Sequence, residues 1–265
     1  MKNLKLVLLI FSILYLGSGF ILFLMQERFI FLGEPLPKNF KFSFATPFKE
    51  LNLTTSDGAV INALHFKADS AKGVIVYFHG NAGNLERWGG LMEYYVSLNY
   101  DVVIMDYRGF GKSTGKRSEK VLFSDAQLIY DSVKKEFDEN KIIVFGRSIG
   151  TGIAAYIAGQ NNPKMLVLET PYYEMATLVR QRFPIYPTTL ALRYRFQTYK
   201  FLKTASCPIY IFHGTEDIVV PYAESERLHK SLPTDQSQFY SIQGGQHNNL
   251  IEFSDYRTPL EEILR

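Results

Sequence analysis

The chain has 265 residues, 46% hydrophobic and 21% charged, which suits one large domain with a sizeable core. Its net charge of +3 is too small to argue for nucleic acid, and no DNA- or RNA-binding signature is present. Cys207 is the only cysteine, which excludes an internal disulfide and a cysteine-based metal site and leaves the redox compartment open.

From Leu6 to Met25 no residue is charged; Lys2 and Lys5 precede this stretch and Gln26-Glu27-Arg28 closes it. About 20 apolar residues cross a bilayer as a helix, whereas signal-peptide cores run to roughly 7–15. The competing reading is a cleaved signal peptide with Leu6–Leu16 as core and Gly17-Ser18-Gly19 as cleavage site. Against it, Phe20-Ile21-Leu22-Phe23-Leu24-Met25 would be a poor start for a mature soluble protein. The expectation is a single-pass membrane anchor over residues 1–28. The flanking lysines place its N-terminus in the cytoplasm and the rest of the chain outside it, although Arg28, Lys38 and Lys41 on the other flank weaken that orientation.

Residues 29–47, punctuated by Gly33, Pro35, Pro37 and Pro47, read as a connector, and residues 48–265 as one domain. Strands are predicted at Phe48–Leu53, Ile61–Phe66, Val74–Phe78, Val102–Met105, Ile142–Phe145, Met165–Leu168, Ile209–Phe212 and Gln238–Ile242. The first two flank Ser56-Asp57-Gly58 and read as an antiparallel hairpin. The later runs are apolar throughout, as in parallel strands covered on both faces. Helical patterns at about Leu85–Leu98, Glu119–Phe137, Ile149–Gln160, Ala223–Ser231 and Pro259–Leu264 separate them. That alternation predicts an α/β fold, a mostly parallel eight-stranded sheet between helices. Between Pro171 and Cys207 the rhythm breaks. This interval holds eight aromatics and six basic residues against one acid, a net +5, and reads as a lid over residues 171–207. Its charge and aromatics would suit an anionic membrane surface. Solvated charges over a folded cap are the plainer alternative.

Gly146-Arg147-Ser148-Ile149-Gly150 stands between an apolar strand and a helix-like run. A strand turning sharply into a helix at G-x-S-x-G exposes the serine hydroxyl at the carboxyl end of a sheet. A serine hydroxyl is a weak nucleophile and needs a base, itself oriented by an acid. Of five histidines, His65, His213 and His229 read as structural or solvated, and His79 as ordering its loop. His247 follows the last strand and Gly244-Gly245-Gln246, and precedes Asn248, a plausible helix cap. The acid is expected between serine and histidine, at the end of a strand. Asp217 fits best, with Glu169 as its rival and Glu216 a weaker one. The developing oxyanion needs preorganised N–H donors. Those expected are the backbone amides of Ile149 and of Asn81, in the loop His79-Gly80-Asn81-Ala82-Gly83-Asn84. Gly111-Lys112-Ser113 mimics a phosphate loop, but Asp106 stands where that motif needs its first glycine. Asp106 and Arg108 are expected to shape a structural loop. No histidine pair has metal-ligand spacing, and neither a cofactor nor a metal is expected.

Taken together, Tyr77–Asn84, Asp106–Ser113, Gly146–Gly152, Phe212–Asp217 and Gly244–Asn248 resemble the α/β-hydrolase superfamily over residues 43–265. Their spelling is similar to its membrane-anchored, serine-aminopeptidase-like branch, which in eukaryotes includes depalmitoylases and lipases. The resemblance implies Ser148, Asp217 and His247 as catalytic triad. The expected function is a serine hydrolase cleaving a small-molecule or lipid ester or thioester through an acyl-enzyme, tethered to a membrane. An exopeptidase of the same fold and a non-catalytic binding protein are the alternatives.

Overall fold

The computed structural model describes residues 2–265. Eight strands form one sheet: β1 (Phe48–Thr54), β2 (Val60–Phe66), β3 (Val74–Phe78), β4 (Asp101–Met105), β5 (Ile142–Arg147), β6 (Met165–Glu169), β7 (Ile209–Gly214) and β8 (Ser237–Ile242). Their order is β1-β2-β4-β3-β5-β6-β7-β8. The β1–β2 hairpin and the β2–β4 pair are antiparallel, and every other pair is parallel. Gly58 closes the hairpin at φ +79°, a conformation that a side chain disfavours.

Helices cover both faces. They are α1 (Lys2–Ile30), α2 (Leu85–Ser97), α3 (Glu119–Val133), α4 (Gly150–Gln160), α5 (Met175–Arg182), α6 (Thr188–Ala191), α7 (Thr198–Leu202), α8 (Tyr222–Lys230) and α9 (Ser254–Ile263). Period-two alternation divides the sheet's side chains between two cores. Val74, Val76 and Phe78 meet α3 and α4, whereas Ile75 and Tyr77 meet α2 and α9.

Three sequence expectations are adjusted. The third helix stops at Val133 rather than Phe137, because the polar Lys134–Glu136 run turns away while Phe137 folds back against the core. The last helix begins at Ser254 rather than Pro259, so the proline lies inside it and forgoes one amide donor. Asn248 caps no helix: the short turn Leu250–Glu252 is headed by Asn249.

Helix α1 is long and apolar enough to cross a membrane, and it leaves Leu6, Leu9, Phe11, Leu14, Leu16, Phe20 and Leu24 exposed. Its last turn is latched to the lid. Gln26 accepts from the Arg193 amide at 2.8 Å, and the Tyr194 hydroxyl donates to Glu27 at 2.9 Å. The residues that follow α1 are woven into the domain. Leu32–Gly33 pairs in parallel with Ala82–Gly83, and the Leu36 amide donates to the Gly111 carbonyl at 2.8 Å. The lid itself is three short helices, α5 to α7, and several of its aromatics serve the core: Tyr172, Tyr194 and Phe196 are fully buried.

Candidate active site

In an open α/β sheet, loops leaving the carboxyl ends of neighbouring parallel strands converge. Here β3 delivers the Asn81 loop, β5 delivers Ser148, β7 delivers Asp217 and β8 delivers His247. Ser148 holds φ +53°, the left-handed region in which a non-glycine residue is strained. Close packing keeps it there. A Cβ on Gly150 would stand 2.1 Å from the Phe78 carbonyl oxygen, and one on Gly146 would stand 2.6 Å from the Ala154 Cβ. Only glycines let α4 approach β3 and β5 this closely. The Ser148 amide donates to the Glu169 carbonyl at 2.9 Å, and the Thr151 hydroxyl donates to the Ser148 carbonyl at 2.6 Å.

The Ser148 Oγ lies 3.0 Å from His247 Nε2, and His247 Nδ1 lies 2.7 Å from Asp217 Oδ2. Asp217 Oδ1 accepts from the amides of Val219 and Val220 at 2.8 and 2.9 Å. Burial pushes the pKa of Asp217 up, but hydrogen bonds from His213 and His247 outweigh it and hold the carboxyl well below the usual carboxylate range. An ionised Asp217 only accepts, so Nδ1 carries the imidazole hydrogen and Nε2 is left to accept from the serine hydroxyl. The Asp217 and His247 loops are pinned together: Glu216 N donates to the Gly245 carbonyl at 2.9 Å, and Gly244 N to the Thr215 hydroxyl at 2.9 Å.

The other candidates fall elsewhere. Glu169 faces Arg147 at 3.0 Å and accepts from the Tyr256 hydroxyl at 2.6 Å, with no bond to His247. Glu216 contributes its backbone. His65 bonds the buried Asp101, and His229 bonds Ser237. His79 is buried between Trp88 and Tyr107, with Nδ1 2.7 Å from the Gly80 carbonyl. Asp106 accepts from the Leu85 amide at the head of α2; burial pushes its pKa up, with His79 opposing. Arg108 clamps Asp125 and Asp57 with two edges of its guanidinium.

Two contributors are missed from sequence. His213 Nε2 stands 3.2 Å from the Asp217 carboxylate and 2.9 Å from the Val220 carbonyl, so it donates to two acceptors and fixes the acid from behind. Arg147 donates to the His247 carbonyl and to the Asn248 side chain, each at 3.2 Å, so the residue before the serine also holds the histidine's backbone. The only hint is Arg147 at the end of β5 opposite Glu169 at the end of the neighbouring β6, and that pairing is invisible along the chain.

The loop after β3 abuts the serine: a Cβ on Gly80 would lie 3.8 Å from Ser148 Cβ. The Asn81 carbonyl accepts from the Leu32 amide at 2.7 Å, its side chain donates to the Ile30 carbonyl at 3.2 Å, and the Gly83 carbonyl accepts from the Glu34 amide at 3.1 Å. The amides of Asn81 and Ile149 have no acceptor among the described residues, which leaves both available to a ligand.

Residues 69–198 match the family model described as serine aminopeptidase, S33. The uncharacterized protein YfhR of Escherichia coli K12 is 31% identical over 207 residues, which cover 74% of this chain and 72% of that one. The lysophosphatidylserine lipase ABHD12 of Danio rerio is 30% identical over 74% of this chain, and the chain spans 59% of that protein's length. Among solved structures, the Pyrococcus furiosus esterase Pf2001 superposes with a TM-score of 0.69 at 15% identity, covering 88% of this chain and 97% of its own. The chain belongs to the α/β-hydrolase superfamily, in its serine-aminopeptidase-like branch.

Proposed function

We propose that this protein is a membrane-tethered serine hydrolase that cleaves a carboxylic ester or thioester through an acyl-enzyme. The observation that carries the reading is the unbroken series Ser148 Oγ, His247, Asp217, linked at 3.0 and 2.7 Å. In the first half-reaction His247 Nε2 takes the hydroxyl proton as Ser148 Oγ attacks the substrate carbonyl. The ionised Asp217 stabilises the imidazolium without accepting its proton. The negative charge that develops on the carbonyl oxygen meets the amides of Ile149 and Asn81. His247 then gives its proton to the departing alcohol or thiol as the carbonyl re-forms and the bond to the leaving group breaks. Water, deprotonated by His247, attacks the acyl-enzyme, and collapse returns the proton to Ser148.

The similarity to a lysophosphatidylserine lipase and to an esterase supports ester chemistry for this chain. The exposed apolar length of α1 supports a membrane tether. Lys2 and Lys5 favour an N-terminus in the cytoplasm and a catalytic domain on the other side, with Arg28, Lys38 and Lys41 on the opposite flank weighing against it. The test is a series of p-nitrophenyl esters and acyl thioesters offered to the purified full chain and to Ser148→Ala. The wild type turns over at least one of these classes, and Ser148→Ala loses at least about a thousandfold in kcat. Equal activity of the two proteins would refute the assignment.

A further inference from the structure

A second feature lies outside the catalytic machinery. Helix α1 and the lid enclose a groove of about 310 Å³, the lower end of the size range of small-molecule sites. One wall is α1 from Tyr15 to Ile30, and the other is lid residues from Val179 to Leu192. Polar side chains along it are already engaged within the protein. The Tyr15 hydroxyl donates to the Ile185 carbonyl at 2.8 Å, the Tyr186 hydroxyl is 2.7 Å from Ser18 Oγ, and Thr188 donates to the Ala176 carbonyl at 3.1 Å. Gln26 is held by Phe23 and by the Arg193 amide. What remains to meet an occupant is hydrocarbon surface, which suits an apolar chain and offers nothing to a headgroup.

The lid tip stands deep beside α1. Tyr186 stacks on Tyr15 with ring centroids 5.0 Å apart, and a Cβ on Gly19 would press within 3.0 Å of its ring. Tyr15 is ten residues before Met25, or about 15 Å along a helix. In a bilayer core of roughly 30 Å that places the lid tip near mid-depth of the membrane. Irregular backbone survives there only when its polar groups are satisfied. The tip Phe183-Pro184-Ile185-Tyr186-Pro187 meets most of that demand, with only the Ile185 amide and the Pro184 carbonyl lacking a partner among the described residues. Pro184 and Pro187 carry no N–H, the amides of Phe183 and Tyr186 donate to Val179 and Phe183, and Tyr15 caps the Ile185 carbonyl. Ile185 and Leu190 are 67% and 80% exposed, a poor surface for water and a good one for lipid. Arg180 and Arg182 stand at the base of this tip, and Arg193 pairs with Glu27 at 3.3 Å at the end of α1. Ile30 lines the groove, and its carbonyl holds the side chain of Asn81.

We propose that the lid tip is lodged in the leaflet and that the groove between it and α1 holds one acyl chain of a bilayer lipid. The substrate class is then an acyl lipid presented laterally from the membrane. This rests on the reading of α1 as a membrane span and of Ser148 as nucleophile.

The test places the full chain in phosphatidylcholine and phosphatidylglycerol vesicles carrying a phosphatidylcholine with a mid-chain diazirine, with adducts mapped by peptide after illumination. Adducts are expected on α1, on the outward Ile185 and Leu190, and on the groove-facing Val179 and Leu192. Ala191→Trp and, from the opposite wall, Leu22→Trp fill the groove; each should cut the Val179 and Leu192 adducts at least fivefold and leave those on Ile185 and Leu190. Retained hydrolysis of p-nitrophenyl butyrate shows that the variants are folded. Adducts on α1 without any on the lid, or groove adducts unchanged in both variants, would overturn the proposal. An unlabelled α1 would defeat the membrane reading and the groove with it. A wild type that is labelled as expected yet hydrolyses no ester would sink the hydrolase reading alone.

Discussion

In the proposed mechanism Ser148 accomplishes nothing unless its neighbours hold His247 in one tautomer, and most of those neighbours are backbone groups and buried charges. Asp217→Asn keeps the shape of the acid but allows the wrong imidazole tautomer. We expect kcat to fall about 10⁴-fold with little change in KM, measured on a soluble ester. The same residue links activity to acid stability. Its folded pKa lies below the unfolded value of about 3.9. Its contribution to stability is therefore complete above that value and is lost as the pH falls through the folded one. Urea unfolding midpoints between pH 2 and 6 should fall less steeply in Asp217→Asn than in the wild type. An equal slope would remove Asp217 from the acid limb. Arg147 combines two roles that variants can separate. Arg147→Met leaves Glu169 buried without its partner, which costs about 3–5 kcal/mol. Adding Glu169→Gln should recover much of that stability without recovering kcat, because the His247 carbonyl still lacks its donor. Recovery of both would reduce Arg147 to a structural ion pair.

At the level of elements, the least replaceable contacts are those between the elbow and the strands beside it. Gly150→Ala drives a methyl into the Phe78 carbonyl. The helix must shift, and we expect a loss of about 2 kcal/mol or more, seen as a Tm lower by roughly 4–8 °C. The short extended segment after α1 has a subtler part. Leu32 donates to the carbonyl of the residue proposed to hold the oxyanion, so Leu32→Pro, which deletes that amide hydrogen, should lower kcat ten- to a hundredfold with the Tm nearly unchanged. The eight strands were legible because each is a short apolar or alternating run bounded by turn residues, and buried parallel strands tolerate little else. Ser148, Asp217 and His247 were legible as candidates because Ser148 directly follows a strand and the other two lie three and five residues beyond theirs. The support was not. Phe31–Leu36 carries a proline and a glycine and reads as a linker, and only its pairing with Ala82–Gly83 and Gly111 shows that it packs against the site. His213 reads from the sequence as structural or solvated, and the third dimension alone places it behind Asp217.

Across the whole molecule, one chain joins an apolar helix, a latched lid and a hydrogen-bonded serine. The +5 segment that the sequence marks as a lid divides in the structure between core aromatics and an apolar tip. Its charge alone could not reveal that division, because burial of Tyr172, Tyr194 and Phe196 depends on what α3, α4 and α1 bring to them. Arg193 and Tyr194 tie that lid to Gln26 and Glu27 at the end of α1. The chemistry nonetheless rests on a single oxygen. The most direct measurement is reaction of the full chain with a fluorophosphonate, followed by intact mass and peptide mapping. One adduct per chain is expected, on Ser148, slowed at least a hundredfold in His247→Gln and absent in Ser148→Ala. An unlabelled folded protein, or an adduct on any other residue, would contradict the assignment.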